Sequence, residues 1–491
     1  MRFARRQISF FVIMNKVESL IFRFFAHQPT EGQRRACAGI VDFLFDPDPR
    51  SAFLLRGYAG TGKTSLVAAL IKAAPYLKIK TVLLAPTGRA AKVLSGYSQK
   101  KAFTIHKKIY TTVTDSSGNV HCVRARNKHA YTLFIVDEAS MIGTTPNDGS
   151  FAGRHSLLED LIDYVNDGSH CRLMLIGDSA QLPPVGSVDS PALSANYLQS
   201  LADLKIHEAE LVDVVRQEQA SGILENATRI RQRICSMEDF DEVEMPLFCL
   251  DGYDDVVRLH GADLEEVLNN EYSSGSLEDA VFVCRSNKLA NLYNQAIRTR
   301  VLFRDDEINT GDYLMVVKNN YHWLDDESEI GFIANGDIVE VLGARNFEEL
   351  YGFHFVDVTL RFIDYPDAPT LDCKIMLETL HSESPSLTRD ESQRLFEAVM
   401  MDYADLPTQA ERLNAVRTNP YYNALQVKFS YALTCHKTQG GQWPVVFVEQ
   451  GYLTDDMINK EFLRWLYTAL TRSTRKIYLL NFNNEFFETD K

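Results

Sequence analysis

At 491 residues the chain is too long for one hydrophobic core, so two or more domains are expected. Hydrophobic residues make up 45% and charged residues 24%, as in a soluble globular protein, and no apolar run approaches the length of a membrane-spanning helix. A net charge of −15 taken alone disfavours a nucleic-acid partner, but binding depends on the local potential of a groove rather than on the total.

At the start, Arg2, Arg5 and Arg6 precede a short apolar stretch, residues 8–14. This resembles an export signal only superficially, because no small-residue cleavage site follows; initiation at Met14 is the preferred expectation. The eight cysteines are scattered without a C-x-x-C pair, which argues against zinc and against a disulfide framework. A reducing cytoplasm is the expected location.

Residues 16–45 read as helices around a polar break at 27–33, with Thr30 as N-cap and Gln33 as its capping-box partner. The alternative role for Gln33 is to read the edge of adenine, since an amide offers a donor and an acceptor. Residues 53–55 form an apolar strand, and residues 57–64, GYAGTGKT, fit G-x-x-x-x-G-K-[ST] at every fixed position. A helical pattern with Leu66, Val67, Leu70 and Ile71 on one face follows at once. Gly57, Gly60 and Gly62 let the backbone curl so that successive N–H groups face phosphates. Lys63 is placed to reach the β- and γ-phosphates of ATP, and the Thr64 hydroxyl to ligate Mg²⁺.

A second buried strand spans 80–87, and a helix begins at Gly88. Residues 110–114 and 120–123 are β-prone around a polar turn at 115–119, which predicts a hairpin inserted between core strands. The third strand, 133–138, ends in Asp137 and Glu138. Asp137 is expected to hold Mg²⁺ and Glu138 to deprotonate the attacking water. A helix covers 157–165, and the fourth strand, 172–178, leads into a loop with Gln181. Gln181 is either a sensor of the γ-phosphate or part of a stiff Gln-Leu-Pro-Pro turn, and spacing alone does not choose. Apolar strands alternating with amphipathic helices indicate a parallel doubly wound sheet, with ligands at the carboxyl ends of the strands.

A second α/β unit begins near Leu211, with a strand at 281–284 and a helix at 287–300. From 305 to 423 the pattern becomes short alternating strands with an acidic helical piece near 391–403, read as a β-rich insertion. The α/β pattern returns at Val427, with strands at 445–448 and 476–480 and a helix at 461–472. Arg216 and Arg472 are the arginines of this unit that would supply transition-state charge, if both face the phosphate loop across a cleft.

Taken in order, these stretches resemble the superfamily 1 DNA helicases of the RecD-like and Dda-like branch. The resemblance is carried by residues 30–33, 57–64, 85–91, 104–106, 137–140, 177–185, 215–217, 432–440 and 467–472. It implies an α/β fold of two RecA-like doubly wound domains. The first spans 28–210 behind an N-terminal extension at 1–27, with a pin hairpin at about 108–130. The second spans 211–304 and 424–491, and a small β-barrel occupies 305–423.

The resemblance further implies ATP between the domains, bound by Gln33, Gly57, Gly60, Thr61, Gly62, Lys63, Thr64, Ser65 and Gly440. Single-stranded DNA would run near Thr87, His106, Thr434, His436 and Lys437, and His106 and His436 also fit as satisfied core histidines. Translocation 5′ to 3′ by a monomer, with forked duplex as substrate and no membrane partner, completes the expectation. Two departures stand out. Gln442-Trp443 replaces the acidic residue that family members often carry there, and the pin turn lacks an aromatic. The second departure leaves open a translocase that does not separate duplexes. A nucleotide-switch binding protein without motor function is the remaining alternative.

Overall fold

The computed structural model describes residues 14–487, apart from 115–119, 146–154, 216–220, 238–244, 325–329, 331 and 366. Its first lobe is built on a six-stranded sheet. The strands are β1 (Ser51–Gly57), β2 (Lys80–Ala85), β3 (Ala102–Thr104), β6 (Thr132–Val136), β7 (Arg172–Gly177) and β8 (Lys205–Leu211), and β4 (Tyr110–Thr114) and β5 (Val120–Arg124) form the separate hairpin. The sheet order is β3-β2-β6-β7-β1-β8, and every pairing is parallel. The central strands are apolar on both faces because helices cover both. Phe53, Leu55, Leu83 and Ile135 meet α1 (Glu31–Leu44), α2 (Lys63–Ala73) and α3 (Gly88–Ser98), with Val17 and Ile21 joining the same core. Leu54, Leu84, Phe134 and Leu175 meet α4 (Leu157–Asn166) on the other face.

The second lobe is a five-stranded sheet with β9 (Val256–Leu259) and β10 (Ala280–Cys284). After the barrel come β16 (Ala432–Thr434), β17 (Trp443–Glu449) and β18 (Ser473–Leu480), in the order β16-β10-β17-β18-β9. All its pairings are parallel. On one face α5 (Gly222–Ser236) and α7 (Lys460–Leu470) pack against Val281, Val283 and Val446. On the other, Phe282, Phe447 and Tyr478 stack in a row beneath α6 (Asn287–Ala296). The α/β class with two doubly wound lobes is as the sequence predicts.

Between β10 and β16 the chain forms a closed barrel of β11 (Tyr313–Val316), β12 (Ile338–Leu350), β13 (Phe353–Phe362), β14 (Leu371–Met376) and β15 (Leu425–Phe429). This corrects the expected end of the insertion at 423. Residues 425–429 pair with β14 in parallel and with β11 antiparallel, so they close the barrel instead of returning to the second sheet. The tip of the predicted pin, 115–119, lies outside the described residues.

The barrel is fastened to both lobes. Asp312, fully buried just before β11, receives the guanidinium groups of Arg298 at 3.0 Å and Arg304 at 2.9 Å, and the Tyr431 hydroxyl at 2.9 Å. On the first-lobe side, Lys92 donates to the carbonyl of Ile363 at 2.9 Å and lies 3.5 Å from Asp364, while the Lys107 ammonium sits 4.6 Å over the ring of Tyr365. Replacing Asp312 by alanine strands two guanidinium groups, one of them fully desolvated. The second lobe with its barrel should lose about 3–5 kcal/mol, read as a lowered urea midpoint.

Candidate nucleotide and strand sites

β1 delivers the phosphate loop to the carboxyl edge of the first sheet. Gly60 and Gly62 have φ of 71° and 78°, in the left-handed region that glycine enters without steric cost. Gly62 is the N-cap of α2 and contributes no side chain, so the first turn of that helix presents its N–H groups to the cavity. Lys63 Nζ donates to the carbonyls of Gly57 at 2.6 Å and Tyr58 at 2.9 Å, and lies 4.0 Å from Asp178. Thr61 turns its hydroxyl inward to the carbonyl of Tyr58 and braces the loop.

The adjoining cavity, of about 450 Å³, is lined by both lobes: Gly60, Lys63, Thr64, Ser65, Asp137, Glu138 and Gln181 from the first, Gln442 and Arg472 from the second. Glu138 has φ of 52°, a left-handed backbone that costs a non-glycine residue about 1–3 kcal/mol and recurs at functional sites. Burial raises its carboxyl to about 6, against the pull of Arg472, the strongest cationic influence on it. Arg472 is 3% exposed, and it donates to the carbonyls of Thr468 and Gly441 and to the Thr471 hydroxyl, all neutral. Its predicted companion, Arg216, lies outside the described residues.

Tyr97 was not singled out in the sequence. Its hydroxyl donates to Asp137 Oδ2 at 2.6 Å, while the N–H of Glu138 donates to Oδ1 at 2.9 Å, so both oxygens of Asp137 are oriented. Only the seven-residue spacing from Ala90, two helical turns, hinted that Tyr97 shares a helix face with the core.

Gln33 shows its capping role. Its Oε1 accepts from the N–H of Thr30, and its Nε2 donates to the carbonyls of Thr61 and Gly62 beneath the loop. Gly440, expected at the nucleotide, is elsewhere: at φ 72° its backbone approaches the start of α3 so closely that a Cβ would stand 2.7 Å from Ala90 Cβ. The unusual pair next to it has a role in packing. The Arg89 guanidinium lies 4.4 Å over the Trp443 ring, joining the lobes.

A second cavity, of about 460 Å³, runs between lobes and barrel. Thr87, Thr104 and His106 line it from the first lobe, Asn319, Phe332 and Asn335 from the barrel, and His436 and Lys437 from the second lobe. Thr87 and Thr104 also cap helices, accepting from the N–H groups of Ala90 and Lys107. Thr434 ends β16 one residue before the short helix Cys435–Thr438 and is not part of this lining. Burial lowers His436 from its usual value and brings Lys437 down to about 8.

Comparison with known proteins adds to this geometry. Residues 28–241 match the family described as "AAA domain", and residues 429–480 match "UvrD-like helicase C-terminal domain". The ATP-dependent DNA helicase dda of Enterobacteria phage T4 is 26% identical, over 64% of this chain and 68% of its own. The ATP-dependent RecD2 DNA helicase of Deinococcus radiodurans is 34% identical, over 27% of this chain and 16% of its own. Both family matches and both helicase relatives support a superfamily 1 helicase of the RecD and Dda type.

An uncharacterized protein of Acanthamoeba polyphaga mimivirus is 21% identical, over 89% of this chain and 97% of its own. A solved Pif1 helicase from Bacteroides, in complex with ADP-AlF3 and ssDNA, aligns at 14% identity with a TM-score of 0.46, covering 94% of this chain and 95% of the other. Ionised Glu138 is the form that can accept a proton. The expected result is an ATPase rate that is level above pH 7 and falls about tenfold per unit below pH 6, as measured by steady-state phosphate release.

Proposed function

We propose that the chain is an ATP-dependent DNA helicase that moves 5′ to 3′ along single-stranded DNA and separates forked duplex. In this reading it acts as a monomer in the cytoplasm. The observation that carries the proposal is the shared cavity. Lys63 and Glu138 of one lobe and Arg472 of the other line the same space, so hydrolysis and lobe movement are mechanically one event. The relatives named as ATP-dependent DNA helicases support the substrate. The described cysteines are all free thiols, in keeping with a reducing location, and no described helix is long and apolar enough to cross a membrane.

In the mechanism, the β- and γ-phosphate oxygens replace the loop carbonyls as acceptors for Lys63. The Thr64 hydroxyl and Asp137 are the groups that would hold Mg²⁺, whose charge would offset that of the phosphates. The donor set fits: a hydroxyl at the helix start and a carboxylate with both oxygens already oriented stand in one cavity. Glu138 takes the proton of the attacking water, Gln181 faces that water, and Arg472 meets the charge on the transferring phosphoryl group.

The strand lies in the second cavity against Thr87, His106, His436 and Lys437, with the barrel as its roof. Thr434 stands at the margin, and Arg216 is the second arginine of the reading. The division between lobes near 210 and the hairpin as pin belong to the same proposal.

ATPase measured with and without single-stranded DNA, followed by tailed duplexes of each polarity, tests the reading. Stimulated hydrolysis with unwinding of the 5′-tailed substrate is expected. Translocation without strand separation would make it a displacing translocase, and a rate indifferent to DNA would point to a nucleotide switch. Lys63→Ala should abolish turnover with the fold retained, by circular dichroism. Arg472→Ala should keep nucleotide binding and lose about 10³–10⁵-fold in kcat.

A further inference from the structure

The hydroxyl of Tyr467, on α7 of the second lobe, stands between two groups of the first. It accepts a hydrogen bond from the N–H of Ala59, in the phosphate loop, at 2.9 Å. It donates to Asp178 Oδ2 at 2.6 Å. The residue is only 1% exposed, so neither contact is shared with bulk solvent. Four residues beyond Asp178 the second lobe takes hold again. Thr468 Oγ1 accepts from the N–H of Leu182 at 2.9 Å, and Gln439 Nε2 donates to the Leu182 carbonyl at 2.7 Å.

The segment 178–182 is therefore gripped at both ends by side chains of the other lobe. Gln181 lies between the two grips. It is 5% exposed, it lines the nucleotide cavity, and its Oε1 has no hydrogen-bond partner. A buried acceptor of this kind is costly until a donor arrives. On the reading above, which this inference rests on, that donor is the attacking water.

We propose that Tyr467, supported by Thr468 and Gln439, is a positioning residue that sets Gln181 and the phosphate loop in working geometry only while the second lobe is seated. A tyrosine is required because one hydroxyl must accept from an amide and donate to a carboxylate at the same time. Tyr467 lies in the last turn of α7 and Arg472 two residues beyond its end, so the grip on Gln181 and the delivery of the guanidinium move together. Coupling of this kind is reciprocal: a nucleotide that reshapes the loop at Ala59 changes the seating of the lobe, and seating changes the loop.

The test is Tyr467→Phe in the full chain, which keeps the buried ring and removes the hydroxyl. At saturating single-stranded DNA, kcat should fall at least about tenfold while the affinity for a fluorescent ADP analogue stays within about threefold. Without nucleotide, hydrogen exchange of the peptide spanning the phosphate loop should be faster than in the wild type. A purely structural tyrosine would lower thermal stability without separating kcat from affinity. A kcat within about twofold of a DNA-stimulated wild type would overturn the inference.

If the wild type shows no DNA-stimulated hydrolysis, the motor reading fails. The exchange comparison then decides the contact, and unchanged exchange overturns it. Should Tyr467→Phe not fold, Thr468→Val and Gln439→Leu replace it. Each is expected to lower kcat at near-normal affinity, and wild-type kcat in both would overturn the proposal.

Discussion

Arg472 brings a positive charge into a site where its three hydrogen-bond partners are neutral and water barely reaches. Removing such a charge from solvent costs several kcal/mol unless another charge answers it. Glu138 on the opposite lobe lines the same cavity, and its carboxyl is raised by burial and lowered most by this same guanidinium. Arg472 is thus the strongest cationic influence on Glu138, across the line along which the lobes meet. The cleft is thus self-consistent only when the lobes are together, and the phosphates of a nucleotide would add the negative charge that the arginine still lacks.

The barrel extends this logic to the strand cavity. Its tie to the second lobe is the buried Asp312 with two arginines and a tyrosine, while its ties to the first are the partly exposed Lys92 and Lys107 contacts. One attachment is strong and desolvated, the other weak and wet. The barrel is thus held more firmly to the second lobe than to the first. Against the overall charge of −15, the cavity beneath the barrel includes Lys437, whose low value reflects burial.

The central strands were legible because parallel strands covered on both faces leave uninterrupted apolar runs, as in residues 53–55 and 281–284. Three strands that escaped reading, β3, β8 and β9, are edges of their sheets, and in β8 KIHEAEL carries charges between its apolar residues. β15 was read into the wrong sheet because a buried strand looks alike in a barrel and in a sandwich of helices; only pairing tells them apart. At the site, Lys63, Glu138, Gln181 and Arg472 converge as the motifs suggested. The motif glycine Gly440 instead serves helix packing. Tyr97 lay in no motif, since its meaning depends on where α3 ends in space.

That helix has a further consequence. Its first residue follows Thr87 on the wall of the strand cavity, and Tyr97, near its other end, holds the carboxylate of Asp137. Its eleven residues form a rod of about 16 Å. Such a rod has no joint, so a displacement at its head is carried to its tail, where a single phenol meets the acid. The wall of one cavity and the carboxylate of the other are so joined by one stiff lever inside the first lobe.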